Sequence, residues 1–337
     1  MFNVGKSASG RILVVRLGSL GDLVHTLPAV ASLKHSFPKS HITWVVEPKW
    51  APLLEKNPFV DRVLLLRRDS TAALWESCRR LRENRYDFAV DFQGLIKSAL
   101  VASFARPERI FGFHHTQVRE RTAALFYSNK TETHSAHKVE QNLDLAASAG
   151  AATVLRMFPL PPGRPEGHLP ASDFVLASPI AGWRGKQWPL EHYRELAGLL
   201  RREMDLALVL DGPPSALPVF AQVKDAVPHT SGVAGLIYAT RRATAVVGVD
   251  SGPLHIAAAL AKPGVAIYGP TDPARNGPYG DSLRVLRSPE AATTYQRNSA
   301  IDESMKQISP DEVFEALRSV LGARGSKIAS MAGPSAF

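Results

Sequence analysis

The sequence is short of the features that would make it an extracellular, membrane-spanning or nucleic-acid-reading protein. It has one cysteine, Cys78, in 337 residues. A single thiol excludes an internal disulfide and points to a reducing compartment. Cys78 falls in a helical stretch with Leu74 and Leu81, where a packing role is expected. No apolar run approaches the roughly 18 residues that span a bilayer. No secretory signal precedes the first strand, and Met1 to Gly10 reads as a short, polar, floppy lead-in. Dinucleotide spacing of the Gly-x-Gly-x-x-Gly kind is missing, as is a phosphate loop ending in Gly-Lys-Ser/Thr. An Asp-x-Asp metal motif is also absent. Acidic residues are in deficit, 31 against 40 Lys and Arg, for a formal net charge of +9. That charge speaks of partners and solubility rather than fold. It suits nucleic acid, an anionic membrane surface or phosphorylated substrates. Nucleic acid is the weakest of the three, because zinc-finger spacing and an arginine-rich tract interleaved with aromatics are both lacking.

What is present describes a globular α/β chain. Hydrophobic residues make up 45% and charged residues 21%. The length is too great for one ordinary core and fits two domains. In residues 1–150 strand candidates at 11–16, 41–46, 62–66, 87–91 and 109–111 alternate with helical stretches near 22–36, 49–56, 70–84, 95–104, 118–127 and 136–149. Such alternation predicts a parallel sheet covered on both faces. The proline- and glycine-rich stretch 156–172 reads as a linker. Alternation then resumes, with strands at 174–177, 206–210, 245–249 and 265–268. Helices are expected at 190–202, 215–226, 232–240, 253–261 and 309–322. Ser309, Pro310, Asp311 and Glu312 make a strong start for the last helix, and the tail after Gly322 is expected to be disordered. The domains are therefore 1–155 and 173–322, two doubly wound parallel sheets with a cleft between the carboxyl ends of their strands.

Residues 11–28 organise the first half. Ile12 to Val15 is a buried strand, Gly18 and Gly21 form a turn, and a helix starts close to Asp22. Ligands sit where such a strand gives way to its helix. Asp22 is either a helix cap or a carboxylate poised over a site. In the second half, Val249-Asp250-Ser251-Gly252-Pro253 ends a strand and opens a helix. Free N–H groups, the helix dipole and two small residues make a phosphate site or a well-capped structural helix. His255 lies one turn in, facing the same anion or simply packed. Asp250 would orient backbone amides or a hydroxyl. The loop 181–189 brings Arg184 and Lys186 to a strand end, as a pyrophosphate site or a solvated basic loop. Thr271 and Asp272 lie in another ligand-shaped loop, where they bind hydroxyls or cap the turn.

Together these stretches resemble a known family. Arg16–Pro28, Asp91–Leu100, Gly185-Lys186-Gln187-Trp188-Pro189, Val249–Ala259 and Tyr268–Pro273 are similar to glycosyltransferase family 9, the ADP-heptose:lipopolysaccharide heptosyltransferases. The stretches 91–98 and 119–127 are nearest the heptosyltransferase I branch. The resemblance covers about residues 11–322. It implies a GT-B fold of two Rossmann-like domains, with acceptor bound by the first and sugar nucleotide by the second. It implies an inverting single displacement in which Asp22 deprotonates the acceptor hydroxyl. Lys186 matches the lysine near the donor phosphates, and Ser251 and Gly252 match the diphosphate-binding turn. No covalent nucleophile and no cofactor are required, although divalent metal could stimulate. Charge on the leaving group falls to Lys186, Arg184 and the helix end after Ser251. Donor contacts also include Asp250, His255 and Thr271. Acceptor contacts are assigned to Gly18, Ser19, Gly21, Gln93, Lys97, Arg119 and Arg121. The implied acceptor carries Kdo carboxylates and phosphates, and the implied location is cytoplasmic, peripheral on the inner membrane.

The chain departs from the family in three places. The loop Asp211–Ala216 lacks the glutamate that serves the nucleotide ribose. Ser304-Met305 stands where many members have Cys-Met, and no acidic pair precedes Lys186. These differences bear on the nucleotide and sugar more than on the reaction class. Two other readings stay open at this level: a different nucleotide sugar or glycan acceptor, and a non-catalytic protein that binds anionic glycolipid.

Overall fold

The computed structural model describes residues 10–331 apart from Tyr295 and Asn298, with side chains through Gly322. The expected floppy lead-in therefore lies outside the described residues, save Gly10, as does the tail from 332 onward. The chain divides into two units, Met1–Pro161 and Pro162–Phe337.

The first unit runs β1 (Arg11–Val15), α1 (Leu20–Ser36), β2 (His41–Val46), β3 (Arg62–Leu65), α2 (Thr71–Leu81), β4 (Phe88–Asp91), α3 (Ile96–Phe104), β5 (Arg109–Phe113), β6 (Asn129–Thr131) and α4 (Lys138–Ser148). Its strands form one parallel sheet in the order β3-β2-β1-β4-β5-β6. Ile12, Leu13, Val14 and Val15 are all buried, as a strand covered on both faces must be. Val15 pairs with Val45 on one side and Asp91 on the other. The chain leaves β1 towards β2 and β3, then returns to build β4 to β6 on the opposite side. That reversal leaves a crevice outside the carboxyl ends of β1 and β4.

The second unit repeats the plan with β7 (Phe174–Ser178), α5 (Leu190–Met204), β8 (Ala207–Gly212), α6 (Leu217–Phe220), β9 (Ala226–Thr230), α7 (Val233–Arg242), β10 (Ala245–Val249), α8 (Gly252–Ala259), β11 (Gly264–Tyr268), α9 (Pro273–Asn276), β12 (Leu283–Arg287), α10 (Glu303–Lys306) and α11 (Pro310–Met331). The sheet order is β12-β11-β10-β7-β8-β9, all parallel. Here the reversal falls between β7 and β10. Trp188 fixes the loop before α5, since its ring is buried and its indole N–H donates to the Ile308 carbonyl at 2.8 Å.

Several elements differ from the sequence reading. Strands β6, β9 and β12 were not expected. Each is a sheet edge, and edges carry polar residues or proline that erase the apolar run: Asn-Lys-Thr, Ala-Val-Pro-His-Thr and Leu-Arg-Val-Leu-Arg. The helix expected at 215–226 shrinks to a 3-10 turn and the four residues of α6, because the chain must turn into β9. The helices expected near 49–56 and 118–127 are 3-10 turns, Pro48–Leu54 and Arg121–Phe126. The last helix runs past Gly322 to Met331, where a disordered tail was expected. Gly322 and Gly325 each cost only about 1 kcal/mol, and Ala323, Arg324, Lys327 and Ala329 favour helix. Among the described residues no helix is long and apolar enough to cross a membrane.

The linker segment after residue 161 is strapped to its own unit. The Arg164 N–H donates to the Ala234 carbonyl at 3.1 Å. Gly163 has φ +78°, and a Cβ there would lie 2.5 Å from the Ala234 oxygen, so only glycine fits. The Glu166 carboxylate accepts the Gly232 N–H at 2.7 Å, at the start of α7. His229 is the pin. Its Nδ1 lies 2.8 Å from Asp211 Oδ1 and its Nε2 lies 2.8 Å from the Glu166 carbonyl. Both partners only accept, so the ring carries both protons. Ser231 Oγ donates to the same Asp211 oxygen at 2.8 Å. Burial opposes the charged ring, but the hydrogen bonds to Asp211 and Glu166 and the Asp211 charge outweigh it and hold the pKa above the ordinary histidine value.

The stability this pair contributes is full below the unfolded pKa of about 6.5 and is lost as pH rises through the raised native value. Urea midpoints of the wild type should therefore fall from about pH 6 to about pH 9, beyond any change in the His229→Ala protein. His229→Ala should cost about 3–5 kcal/mol at the lower pH, by leaving the buried Asp211 charge without its cation. Parallel pH profiles for the two proteins would refute the assignment.

Candidate active site

At the end of β1 the chain reads Arg16-Leu17-Gly18-Ser19 before α1 begins at Leu20. Ser19, not Asp22, is the N-cap. Asp22 is the third helical residue and its carboxylate reaches back. Oδ2 accepts from Ser19 Oγ at 2.9 Å and from the Ser19 N–H at 3.3 Å, and Oδ1 pairs with Arg16 Nη2 at 2.6 Å. The arginine side chain is 10% exposed and the aspartate 40%. Arg16 is itself held from behind, since Nη1 donates to the Phe92 carbonyl. Burial works to raise the Asp22 pKa, but the Arg16 charge and the Ser19 and Arg16 hydrogen bonds more than offset it. The carboxylate therefore stays ionised well below neutral pH.

The other acceptor-side candidates divide. Gln93 accepts the Leu17 N–H at 2.8 Å, tying the loop after β4 to the loop after β1. Gly18 lies under Trp50, whose Nε1 would be 2.8 Å from an added Cβ, with Glu47 beside it. Lys97 faces that same Glu47 at 3.7 Å, and Arg68 pairs with it too. Gly18, Ser19, Asp22, Gln93 and Lys97 thus belong to one neighbourhood, as does Gly21 in the first turn of α1. Arg119 and Arg121 form no hydrogen bond or ion pair with these residues among the described ones. They are exposed around the 3-10 turn after β5, and Glu120 between them accepts the Ile96 N–H at 2.7 Å.

Asp91 is a positioning residue that the sequence did not reveal. It is fully buried at the end of β4 and accepts from Tyr127 Oη at 2.7 Å, Ser98 Oγ at 2.8 Å and the N–H groups of Gln93 and Gly94 at 2.9 and 3.4 Å. Burial pushes its pKa up despite these donors. The bonds shape the turn that presents Gln93. Arg16 was missed as well. The signal was available: a cation directly following a buried strand has to find a carboxylate.

In the second unit the centre lies at the ends of β7 and β10. Lys186 Nζ pairs with Asp250 Oδ2 at 2.8 Å, with both side chains largely buried. The ammonium also stands 4.5 Å from the Trp183 ring centre. His255 Nε2 lies 3.8 Å from the other Asp250 oxygen. Burial would raise the Asp250 pKa, but His255 and Lys186 hold it far below the carboxylate range. Asp250 therefore orients a lysine, not the backbone amides or hydroxyl expected from sequence. Ser251 is the N-cap of α8, yet its hydroxyl makes no capping bond. The Ser251 and Thr271 hydroxyls are both buried without a partner. The idle Ser251 hydroxyl, the helix N-terminus that starts at Gly252 and a held lysine form a cradle for an oxyanion, and the idle Thr271 hydroxyl follows the neighbouring strand β11.

Arg184 is exposed, shares a 3-10 turn with Lys186 and forms no ion pair among the described residues. Asp272 caps α9 through the Ala274 N–H at 2.9 Å. Ser304 and Met305 close on Gly269, where an added Cβ would lie 2.7 Å from both side chains. The Asp211 carboxylate, nearest the loop that lacks a glutamate, is turned to His229 and Ser231.

Comparison with known proteins accords with this arrangement. The model of Glycosyltransferase family 9 (heptosyltransferase) matches residues 74–305. Lipopolysaccharide heptosyltransferase 1 of Pseudomonas aeruginosa is 32% identical over 298 residues, covering 81% of this chain and 82% of that one. The protein of the same name from Escherichia coli K12 is 29% identical over 327 residues, covering 88% of this chain and all of its own. Among solved structures, E. coli heptosyltransferase WaaC with ADP superposes with a TM-score of 0.76 at 26% identity, covering 92% of this chain and 99% of that one. The chain is a glycosyltransferase: it belongs to family 9, the heptosyltransferases, and has the two Rossmann-like units of the GT-B fold.

Proposed function

We propose that this protein transfers heptose from ADP-L-glycero-D-manno-heptose to a Kdo residue of the lipopolysaccharide inner core. The observation that carries the reading is that one unit holds a preset carboxylate and the other an anion cradle. The relatives' names support the acceptor class, and a solved WaaC structure with ADP-2-deoxy-2-fluoro heptose, 25% identical over 92% of this chain, supports the donor.

The step is an inverting displacement. Asp22 accepts the proton of the acceptor hydroxyl as that oxygen bonds to the anomeric carbon. The bond from that carbon to the diphosphate breaks on the opposite face, and its electron pair goes to the phosphate oxygen. A carboxylate with a lowered pKa is a weak base at rest. It suffices here because the hydroxyl becomes acidic only as the new bond forms. The departing diphosphate is met by Lys186, the idle hydroxyls of Ser251 and Thr271 and the N-terminus of α8. No resident metal is required, and transfer should persist in excess chelator. The acceptor is anchored in lipid, so the enzyme works as a peripheral protein at the cytoplasmic face of the inner membrane.

A second reading keeps the reaction and changes the donor. It is favoured by the Asp211–Ala216 loop, which has no glutamate and whose neighbouring carboxylate is already engaged. Transfer to Kdo-lipid A with ADP-heptose, UDP-glucose and GDP-mannose in parallel separates the two. Turnover of ADP-heptose alone is expected, and turnover of only another donor would overturn the heptose assignment.

Asp22→Ala should fold normally and lose on the order of 100-fold or more in kcat. Near-wild-type transfer would remove Asp22 as base. The wild-type kcat/KM profile should show no acid limb near the ordinary carboxylate value of about pH 4. Arg16→Gln should move that limb to higher pH. Lys186→Gln should lower transfer by about 100-fold, consistent with loss of one charge-stabilising donor.

A further inference from the structure

A surface helix normally turns its larger apolar residues inward and its polar ones to water. Helix α3 does the reverse. Its inward face is Ser98, Ala99 and Ala102, all buried, while Ile96, Leu100 and Phe104 recur every fourth residue on the exposed side. The neighbouring elements continue the pattern. Leu74 and Trp75 are exposed on α2, and Trp75 is 68% exposed. Leu125 and Phe126 are exposed on the 3-10 turn Arg121–Phe126, Leu125 at 79%. These elements sit side by side. Arg82, which ends α2, stacks its guanidinium 4.0 Å from the Phe104 ring centre and donates to the Phe104 carbonyl at 3.1 Å. The Glu120 bond to the Ile96 N–H joins α3 to the turn. Seven of the thirteen exposed large hydrophobic residues therefore fall on one face of the first unit.

The rim of this face is basic. Residues 67–130 hold twelve Lys and Arg against seven Asp and Glu, so +5 of the chain's +9 comes from this stretch. Arg82, Arg106, Arg119 and Arg121 are exposed and form no ion pair among the described residues. Guanidinium groups without a carboxylate partner, around an apolar centre with an exposed tryptophan, match an anionic lipid surface. They do not match a second copy of the chain, because a self-facing contact would oppose the basic rim to itself.

We propose that α2, α3 and the turn at 121–126 form the face by which this protein docks on anionic membrane, with Trp75, Leu100 and Leu125 entering the interface. The proposal rests on the reading above only for its purpose, bringing the first unit to a lipid-borne acceptor. It also gives the exposed Arg119 and Arg121 a place at the lipid headgroups.

The test is co-sedimentation of the full chain with vesicles of phosphatidylglycerol and phosphatidylcholine, without acceptor or donor. The wild type should bind, weakly to phosphatidylcholine alone, and less as salt rises to about 0.5 M. Trp75→Ser, Leu100→Ser and Leu125→Ser together should lower partitioning at least about tenfold while the melting midpoint holds, by loss of buried apolar area. Leu125→Ser alone gives a smaller loss and guards against misfolding of the triple variant. Leu217→Ser with Val219→Ser, exposed in the second unit, should change nothing. A wild type that ignores anionic vesicles, or a triple variant that binds equally well, would overturn the proposal. So would a dimer in sedimentation equilibrium that the triple variant abolishes, since the occupant would then be a second copy. Heptose transfer to a deacylated, water-soluble acceptor is read separately. Its failure would strike the reading of the reaction and leave the docking face standing.

Discussion

A parallel strand that ends in mid-sheet leaves its last residue beside a gap. In each unit of this protein the connections run one way from the central strand and later return on the other side. That leaves a crevice outside the ends of β1 and β4, and another outside β7 and β10. Asp22, Gln93, Lys186 and Ser251 all stand where that constraint puts them. The backbone must leave a buried strand, turn and start a helix within a few residues, which places free N–H groups and short polar side chains at the crevice.

Both crevices contain a cation–carboxylate pair, with its polarity reversed. In the first unit Arg16 is the deeper member and Asp22 the more exposed one. In the second, Asp250 is slightly the deeper and Lys186 the outer. The buried partner sets the state of the outer one. A guanidinium keeps a carboxylate ionised, and a carboxylate keeps an ammonium in place. One architectural solution, used twice with opposite sign, yields an acceptor-side base and a donor-side cation. A buried pair of this kind is weak evidence for stability. Its value here lies in orientation.

The sequence disclosed the central strands because burial on both faces leaves an unbroken apolar run, as in Ile12–Val15 and Ala245–Val249. It concealed β6, β9 and β12, whose residues answer to water or to a turn rather than to a core. It pointed to Asp22, Lys186 and Ser251 because glycine and proline punctuate the strand ends on which they sit. It could not tell which way Arg184 points, because the direction of a loop side chain has no periodicity. The same holds for Arg119 and Arg121. The Asp211–His229 pair was invisible because its partners are 18 residues apart on neighbouring strands and join only through sheet register.

The pairing of Lys186 with Asp250 also bears on the crowd of small phosphates in which any such enzyme works. A bare lysine at a helix end would attract orthophosphate, nucleotides and sugar phosphates alike. Here the resting cradle is close to neutral, because its ammonium is already answered by a carboxylate. A visiting anion has to compete for that lysine, and a single phosphate brings few contacts with which to do so. A diphosphate can engage the helix N-terminus, the Ser251 and Thr271 hydroxyls and the ammonium together. Discrimination of this kind needs no steric gate. It follows from holding the one strong charge of the site in reserve until enough weaker contacts have been made.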